Sequence, residues 1–395
     1  MEQSDPLLSK IQDYFKNEFK TDPIFVKSPG RVNLIGEHTD YNNGFVLPAA
    51  VDKHILFGIA PNNLETSRLY AVNMEENFEF KVNDTKFNKS DLGWPNYLMG
   101  VVDQLKQAGY QIQGFDCVFG GDIPIGAGMS SSAALEGGLL YGLSEIFGLE
   151  IDRLDIVKMA QKAENEFVGV QCGIMDQFIN IFGNDNHVLK LDCLTLEYEY
   201  HPFDNQDYRI VLCDSKVRHD LATSEYNIRR NQCEEGVSIL RKYHHEVKSL
   251  RDVTFDMLNK HKDEFDPVIF KRCEYVVEEN NRVNNACEDL EKGDFASFGQ
   301  RMFASHDGLQ NKYEVSCKEL DILVEIAKGI DGVLGSRMMG GGFGGCTINL
   351  VEKDKVDNFV NSVKQQYVKQ TGHDTEIYQT KIENGVSTIF KNETT

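Results

Sequence analysis

The sequence predicts an α+β protein made of two successive units, and three observations carry that reading. Between residues 23 and 80, short β-rich runs are separated by turn residues. Helical spacing is then grouped between residues 97 and 167. A second block of long, charged helices between residues 220 and 328 is followed by three further strand candidates. Helices and strands cluster instead of alternating strictly, which separates this pattern from a doubly wound parallel sheet.

In chain order, Asp5-Pro6 followed by Leu7, Leu8, Ile11 and Phe15 supplies a cap, a first-turn proline and apolar i, i+3/i+4 spacing, predicting a helix to about Lys20. Strands are expected at 24–26, 32–35, 54–59, 68–72 and 78–82, then at 115–119, 179–182 and 187–191. Helices are expected at 97–107, 133–147 and 154–167. A polar stretch, 201–207, precedes an apolar strand at 208–213, so the units are placed at 1–205 and 206–395. The second unit closes with strands at 332–338, 346–351 and 374–379 around a helix at 356–370.

The chain has 395 residues, which at ~150 residues per domain agrees with more than one domain. Its 41 Lys+Arg against 62 Asp+Glu give a net charge of −21. That balance weighs against a nucleic-acid partner or an anionic membrane, and any anionic ligand needs a local site. The nine cysteines are odd in number and none form a Cys-x-x-Cys pair, the usage of a reducing compartment. No apolar run approaches the ~18 residues of a spanning helix, and the first ten residues lack a signal peptide's basic start and apolar core. A soluble, cytoplasmic monomer with no obligatory protein partner is expected.

Three segments carry chemistry. Gly126-Ala127-Gly128-Met129-Ser130-Ser131-Ser132-Ala133-Ala134 lies between a strand and a helix that begins in the serines. Glycines let backbone curl round an anion, and a helix N-terminus offers free N–H groups to it, so the segment suits a phosphate; a plain capped turn is the alternative. It is neither a Walker A loop, which needs a following lysine, nor a nucleophile elbow. Gly340-Gly341-Gly342-Phe343-Gly344-Gly345 contains a formal Gly-x-Gly-x-x-Gly, but residues 346–351 read as a strand where a dinucleotide fingerprint needs a helix, which weighs against that reading. Five glycines in six residues suit close backbone approach to a ligand or another loop. Gly30-Arg31-Val32-Asn33-Leu34-Ile35-Gly36-Glu37-His38-Thr39-Asp40-Tyr41 packs several hydrogen-bonding groups into few residues, a density suited to a polyhydroxylated ligand or, alternatively, to a solvated turn.

In this order the three segments resemble the three motifs of the GHMP small-molecule kinase superfamily, and within it the chain is similar to the galactokinase family. Supporting stretches are Cys172-Gly173-Ile174-Met175-Asp176-Gln177, Ser224-Glu225-Tyr226-Asn227 with Arg229-Arg230, and Tyr313-Glu314-Val315-Ser316-Cys317. The resemblance implies a two-domain GHMP kinase fold, an N-terminal domain like ribosomal protein S5 domain 2 and a ferredoxin-like C-terminal domain, with the active site between them. It implies ATP-dependent phosphorylation of galactose at its anomeric hydroxyl, with ATP as co-substrate and Mg²⁺ as cofactor.

Carried over by position, Asp176 is the catalytic carboxylate and Arg31 the cation bridging it to the transferring phosphoryl group. Glu37, His38, Thr39, Asp40, Gly173, Asp176 and Tyr226 bind the sugar. Gly126, Ala127, Gly128, Met129, Ser130, Ser131 and Ser132 wrap the phosphates, Trp94 contacts adenine, and Ser132 and Glu164 hold Mg²⁺. Three alternatives stay open: an N-acetylgalactosamine 1-kinase, an arabinose 1-kinase and a non-catalytic galactose/ATP sensor. The presence of Arg31, Ser132, Glu164 and Asp176 weighs against the sensor.

Overall fold

The computed structural model describes residues 6–84, 88–124, 126–203, 206–218 and 222–389, with the side chains of the segment that starts at 222 described from Glu225. The first helix, α1 (Pro6–Tyr14), continues into a π turn, Phe15–Phe19; the cap expected at Asp5 lies outside the described residues. It leads into strands β1 (Ile24–Asn33), β2 (Phe45–Val46), β3 (Pro48–Pro61), β4 (Thr66–Ala71) and β5 (Glu76–Lys81). Helix α2 (Trp94–Gln107), strand β6 (Phe115–Gly121) and helices α3 (Ser131–Phe147), α4 (Arg153–Lys162) and α5 (Met175–Phe182) follow, then β7 (His187–Asp192) and β8 (Tyr198–Pro202).

After β9 (Tyr208–Asp214) come helices α6 (Ala222–Leu240), α7 (Phe255–Lys260), α8 (Pro267–Glu291), α9 (Phe295–Gly308) and α10 (Lys318–Lys328). The chain closes with β10 (Val333–Met338), β11 (Cys346–Glu352), α11 (Val356–Thr371), β12 (Glu376–Thr380) and β13 (Ser387–Ile389). The expectation of an α+β protein holds.

The main sheet runs β13-β1-β3-β6-β4-β5, antiparallel except where β4 meets β6. A four-stranded antiparallel sheet, β10-β11-β9-β12, centres the second half, and β2-β7-β8 form a third sheet. Helix α3 lies directly on β1 and β3 because it carries glycine at the contact. A Cβ at Gly138 would fall 2.4 Å from Phe57, and one at Gly142 would fall 2.3 Å from Ile59. That closeness seats α3 on the sheet, and its first turn carries the serines of the glycine-serine motif.

The two halves share a core in which Val32, Leu34, Ala127 and Met129 pack with Val283, Leu290 and Ile348. The chain also returns. β13 pairs antiparallel with β1, Val26 opposite Thr388, so its strand belongs to the first sheet although the division 1–205 and 206–395 would assign it to the second unit. One expected strand, 179–182, is corrected: these residues form the second half of α5. Met175, Phe178, Ile179 and Ile181 are all buried, and a short helix covered on several sides leaves an apolar run with no readable period.

Candidate active site

A β-bulge between Pro29 and Arg31 breaks the register of β1 and turns Arg31 toward α5. Its guanidinium grips Asp176, in the first turn of α5, through two parallel bonds: Nε donates to Oδ1 and Nη2 to Oδ2, both at 2.7 Å. Nη1 donates to the Gly128 carbonyl, and the Arg31 amide donates to the Met129 carbonyl at 3.1 Å. One side chain therefore ties β1, α5 and the first glycine loop together. Burial opposes its charge, yet Asp176, with Glu37 and Asp40 beyond it, outweighs burial and holds Arg31 above the ordinary guanidinium value.

Asp176 and Arg31 form one wall of a cavity of ≈ 260 Å³ that also receives Glu37, His38, Asp40, Glu164, Gly173, Tyr226 and Gly340. Six of the seven expected sugar-site residues meet there. Thr39 does not line it: its hydroxyl donates to the carbonyls of Gly36 (2.8 Å) and Phe45 (2.6 Å), so it shapes the loop from within. Glu37 is clamped by the Gly340 amide (2.8 Å) and Arg337 (3.1 Å), which joins the 340–345 glycine loop to the segment 36–41. His38 has a left-handed backbone, φ 63°, which Asn42 stabilises by donating to its carbonyl at 2.8 Å. A Cβ at Gly173 would fall 1.8 Å from an Asp40 oxygen, so any side chain there would displace the Asp40 carboxylate. Burial, then Asp176 and Glu37, push the Asp40 carboxyl up to about 7 against the pull of Arg31.

On the far side of Arg31, Gly126 and Gly128 take positive φ (75° and 72°), and Ser130 is left-handed just before α3. Ala127 and Met129 point into the shared core, leaving backbone on the open side. Arg218 lies against this loop, its Nε 2.4 Å from where a Gly126 side chain would begin, and Asp214 holds it in two bonds of 2.9 and 2.8 Å. Sequence reading missed Arg218, because nothing in residues 214–218 signals that it folds onto Gly126. A smaller cavity of ≈ 150 Å³ lies beside Ser131, walled by Trp94, Ile55, Phe119, Ile123 and Leu135. Trp94 is itself a core residue, its Nε1 donating to Glu76 at 2.6 Å and its ring edge-on to Phe119. It presents one side of its ring to that cavity.

Behind Asp176 lies an acidic cluster of which the sequence reading had named Glu164 but not Glu136. Glu164 accepts from Gln177 at 2.7 Å, and the same amide reaches Glu136 at 3.3 Å. Glu136 is fully buried, with one oxygen lacking any partner. Burial and then Asp176 raise Glu164, while the Ser132 hydroxyl lowers it; burial and Glu164 raise Glu136 well above its usual range. Buried carboxylates in contact are costly without a cation. Among the described residues no group of three His, Cys, Asp or Glu side chains converges as a metal cage. One carboxylate and one hydroxyl fit Mg²⁺, which keeps waters and takes phosphate oxygens, and not a metal held by protein alone.

Family comparisons bear on this geometry directly. The galactokinase galactose-binding signature matches residues 13–61, the GHMP kinases N terminal domain residues 96–184 and the GHMP kinases C terminal domain residues 286–369. A Thermotoga maritima galactokinase is 42% identical over 364 residues, spanning 92% of this chain and 99% of that protein. The chain belongs to the galactokinase family. A Roseiflexus member is 39% identical over 384 residues, 97% of each chain. Within this family, the crystal structure of Lactococcus lactis galactokinase complexed with galactose superposes at a TM-score of 0.92 and 36% identity, covering 97% of this chain and 100% of that one. Methanococcus jannaschii mevalonate kinase, at 17% identity and a TM-score of 0.66 over 92% of this chain and 100% of that one, shares the galactokinase fold. The α+β architecture is thus that of the GHMP kinases, with their N- and C-terminal domains.

Proposed function

We propose that this chain transfers the γ-phosphoryl group of ATP to the anomeric hydroxyl of galactose, giving galactose 1-phosphate and ADP. The observation that carries the reading is the position of Arg31, which holds Asp176 in the sugar cavity and the Gly128 carbonyl of the phosphate loop at once. The acceptor hydroxyl and the transferring group would meet at that seam. Phosphoryl transfer passes through a loose transition state whose charge spreads over oxygens, so alignment and charge neutralisation are what the protein must supply.

In this reading Asp176 orients the hydroxyl and takes its proton at Oδ as the new P–O bond forms, while Arg31 offsets charge on the phosphoryl oxygens. Glu37, His38, Asp40 and Tyr226 hold the sugar, and Gly173 leaves room for Asp40. Gly126 to Ser132 cradle the phosphates with Arg218 at their edge, and the cavity against Trp94 takes the purine. Ser132 and Glu164 would hold Mg²⁺, which when bound would supply neutralisation of the phosphate charge that the surrounding carboxylates otherwise repel. Selectivity follows from the buried acceptors, because an epimer that misplaces one hydroxyl leaves a buried polar group unpaired. Among the described residues no helix is long and apolar enough to cross a membrane.

The test is incubation with Mg-ATP and galactose, glucose, N-acetylgalactosamine, arabinose or mevalonate, following ADP release and identifying the product. Galactose 1-phosphate should dominate. A different preferred sugar would move the specificity to a sister kinase, and binding without ADP release would favour a sensor.

A further inference from the structure

His38 reaches the sugar cavity through a ring whose far side is wired into the protein. Its Nδ1 lies 2.7 Å from the Tyr41 hydroxyl, which lies 2.8 Å from the Tyr313 hydroxyl, which in turn lies 3.2 Å from Cys233 Sγ. His38, Tyr313 and Cys233 are buried and Tyr41 is half-buried, and Tyr313 also packs tilted against the imidazole at 4.9 Å between centroids. The other ring nitrogen, Nε2, is buried and has no protein partner. We propose that Tyr41, Tyr313 and Cys233 are positioning residues that lock His38 as its Nε2–H tautomer, so that the imidazole donates a hydrogen bond to a sugar oxygen. The sugar's part in this rests on the galactose reading of the cavity.

The direction follows from proton counting. Each hydroxyl and the thiol carries one proton, so fixing any one bond fixes the whole chain. The space before Nε2 is rich in acceptors: the carboxylates of Glu37, Asp40 and Asp176 share the cavity, and the Gly341 carbonyl faces the ring. A lone pair aimed at that surface is disfavoured and an N–H is favoured. Nδ1 is then the acceptor, Tyr41 donates to it, Tyr313 donates to Tyr41, and the Cys233 thiol donates to Tyr313. Burial, reinforced by Arg229, holds the imidazole down to about 3, so the ring has a single proton to place.

The test uses the full chain with ¹⁵N-labelled histidine, the His38 signals being assigned by their loss in His38→Gln. Nε2-protonated, Nδ1-bare imidazole is expected; the reverse pattern or a doubly protonated ring overturns the proposal. Tyr313→Phe should mix the tautomers and raise the KM for galactose about tenfold, the cost of about one hydrogen bond, while kcat stays within about threefold and the KM for ATP is unmoved. Cys233→Ser, which keeps the donor, should behave as the parent chain. Should Tyr313→Phe melt early, Tyr41→Phe carries the same expectation. A folded variant with an unchanged tautomer and unchanged KM refutes the relay. The NMR result needs no sugar, so failure of the galactose reading and failure of the relay are told apart.

Discussion

At the scale of single residues, Asp176 shares both carboxylate oxygens with one guanidinium, and in the proposed reaction the chemistry depends on that pair. Asp176→Asn keeps the size but loses the proton acceptor and turns an amide N–H₂ toward Arg31. We expect kcat to fall 10²- to 10⁴-fold, the usual weight of general-base assistance, with ATP binding retained in a calorimetric titration. A variant with near-normal kcat would show that Arg31 and the metal suffice. Arg31, Glu37, His38, Asp40 and Asp176 were legible in the sequence because they sit in short, dense motifs. Arg218, Glu136 and the bridging role of Gln177 were not, since each acts by meeting residues far along the chain: Gly126, Glu164 and both glutamates respectively. Thr39 shows the converse, a motif residue whose hydroxyl is spent on its own loop.

At the scale of elements, glycines decide how closely pieces approach, and sequence alone reads them ambiguously. Pro29-Gly30 looks like a break between two strands, and the expectation was indeed two runs, 24–26 and 32–35. The strand is continuous, and Gly30 is needed because a Cβ would meet the Met129 carbonyl at 2.9 Å where the phosphate loop crosses. The same constraint makes a prediction for α3. In Gly138→Ala the new methyl would face Phe57 of β3 at 2.4 Å and Ser28 of β1 at 2.7 Å, so either α3 or the strands beneath it must shift. Overpacking of this kind costs about 1–3 kcal/mol. Urea denaturation should report that loss, and the KM for ATP should rise with it, because the first turn of α3 carries the serines of the loop proposed to cradle the phosphates. A loss of stability with no change in the KM for ATP would mean that the strand, and not the helix, gives way.

At the scale of the whole molecule, the site is assembled from both halves, and this costs stability in a way that pH exposes. Glu37 meets Arg337 and Gly340 from the second half, and Glu279 of α8 accepts from the Gly36 amide at 2.9 Å, so the sugar loop is held from across the shared core. That convergence was beyond the sequence, as was the return of β13 to β1, because neither leaves a local pattern. Within the cavity so closed, the first half's own carboxylates are crowded. Asp40 has an ordinary value of 3.8 that burial, Asp176 and Glu37 raise to about 7. The folded chain thus holds that proton more tightly than the unfolded chain, so this group's effect on stability becomes less favourable as pH rises from about 4 to about 7 and is constant above. Asp40→Asn removes the titration while keeping the shape. Without ligand, its melting temperature should match the parent's near pH 4, exceed it increasingly up to pH 7 and stay ahead by a fixed margin at pH 8, while galactose binding weakens at every pH. A margin that did not change with pH would place the strain elsewhere in the cavity. A deficit that opens above about pH 4 would mean that Asp40 is held ionised in the fold, with Arg31 outweighing burial.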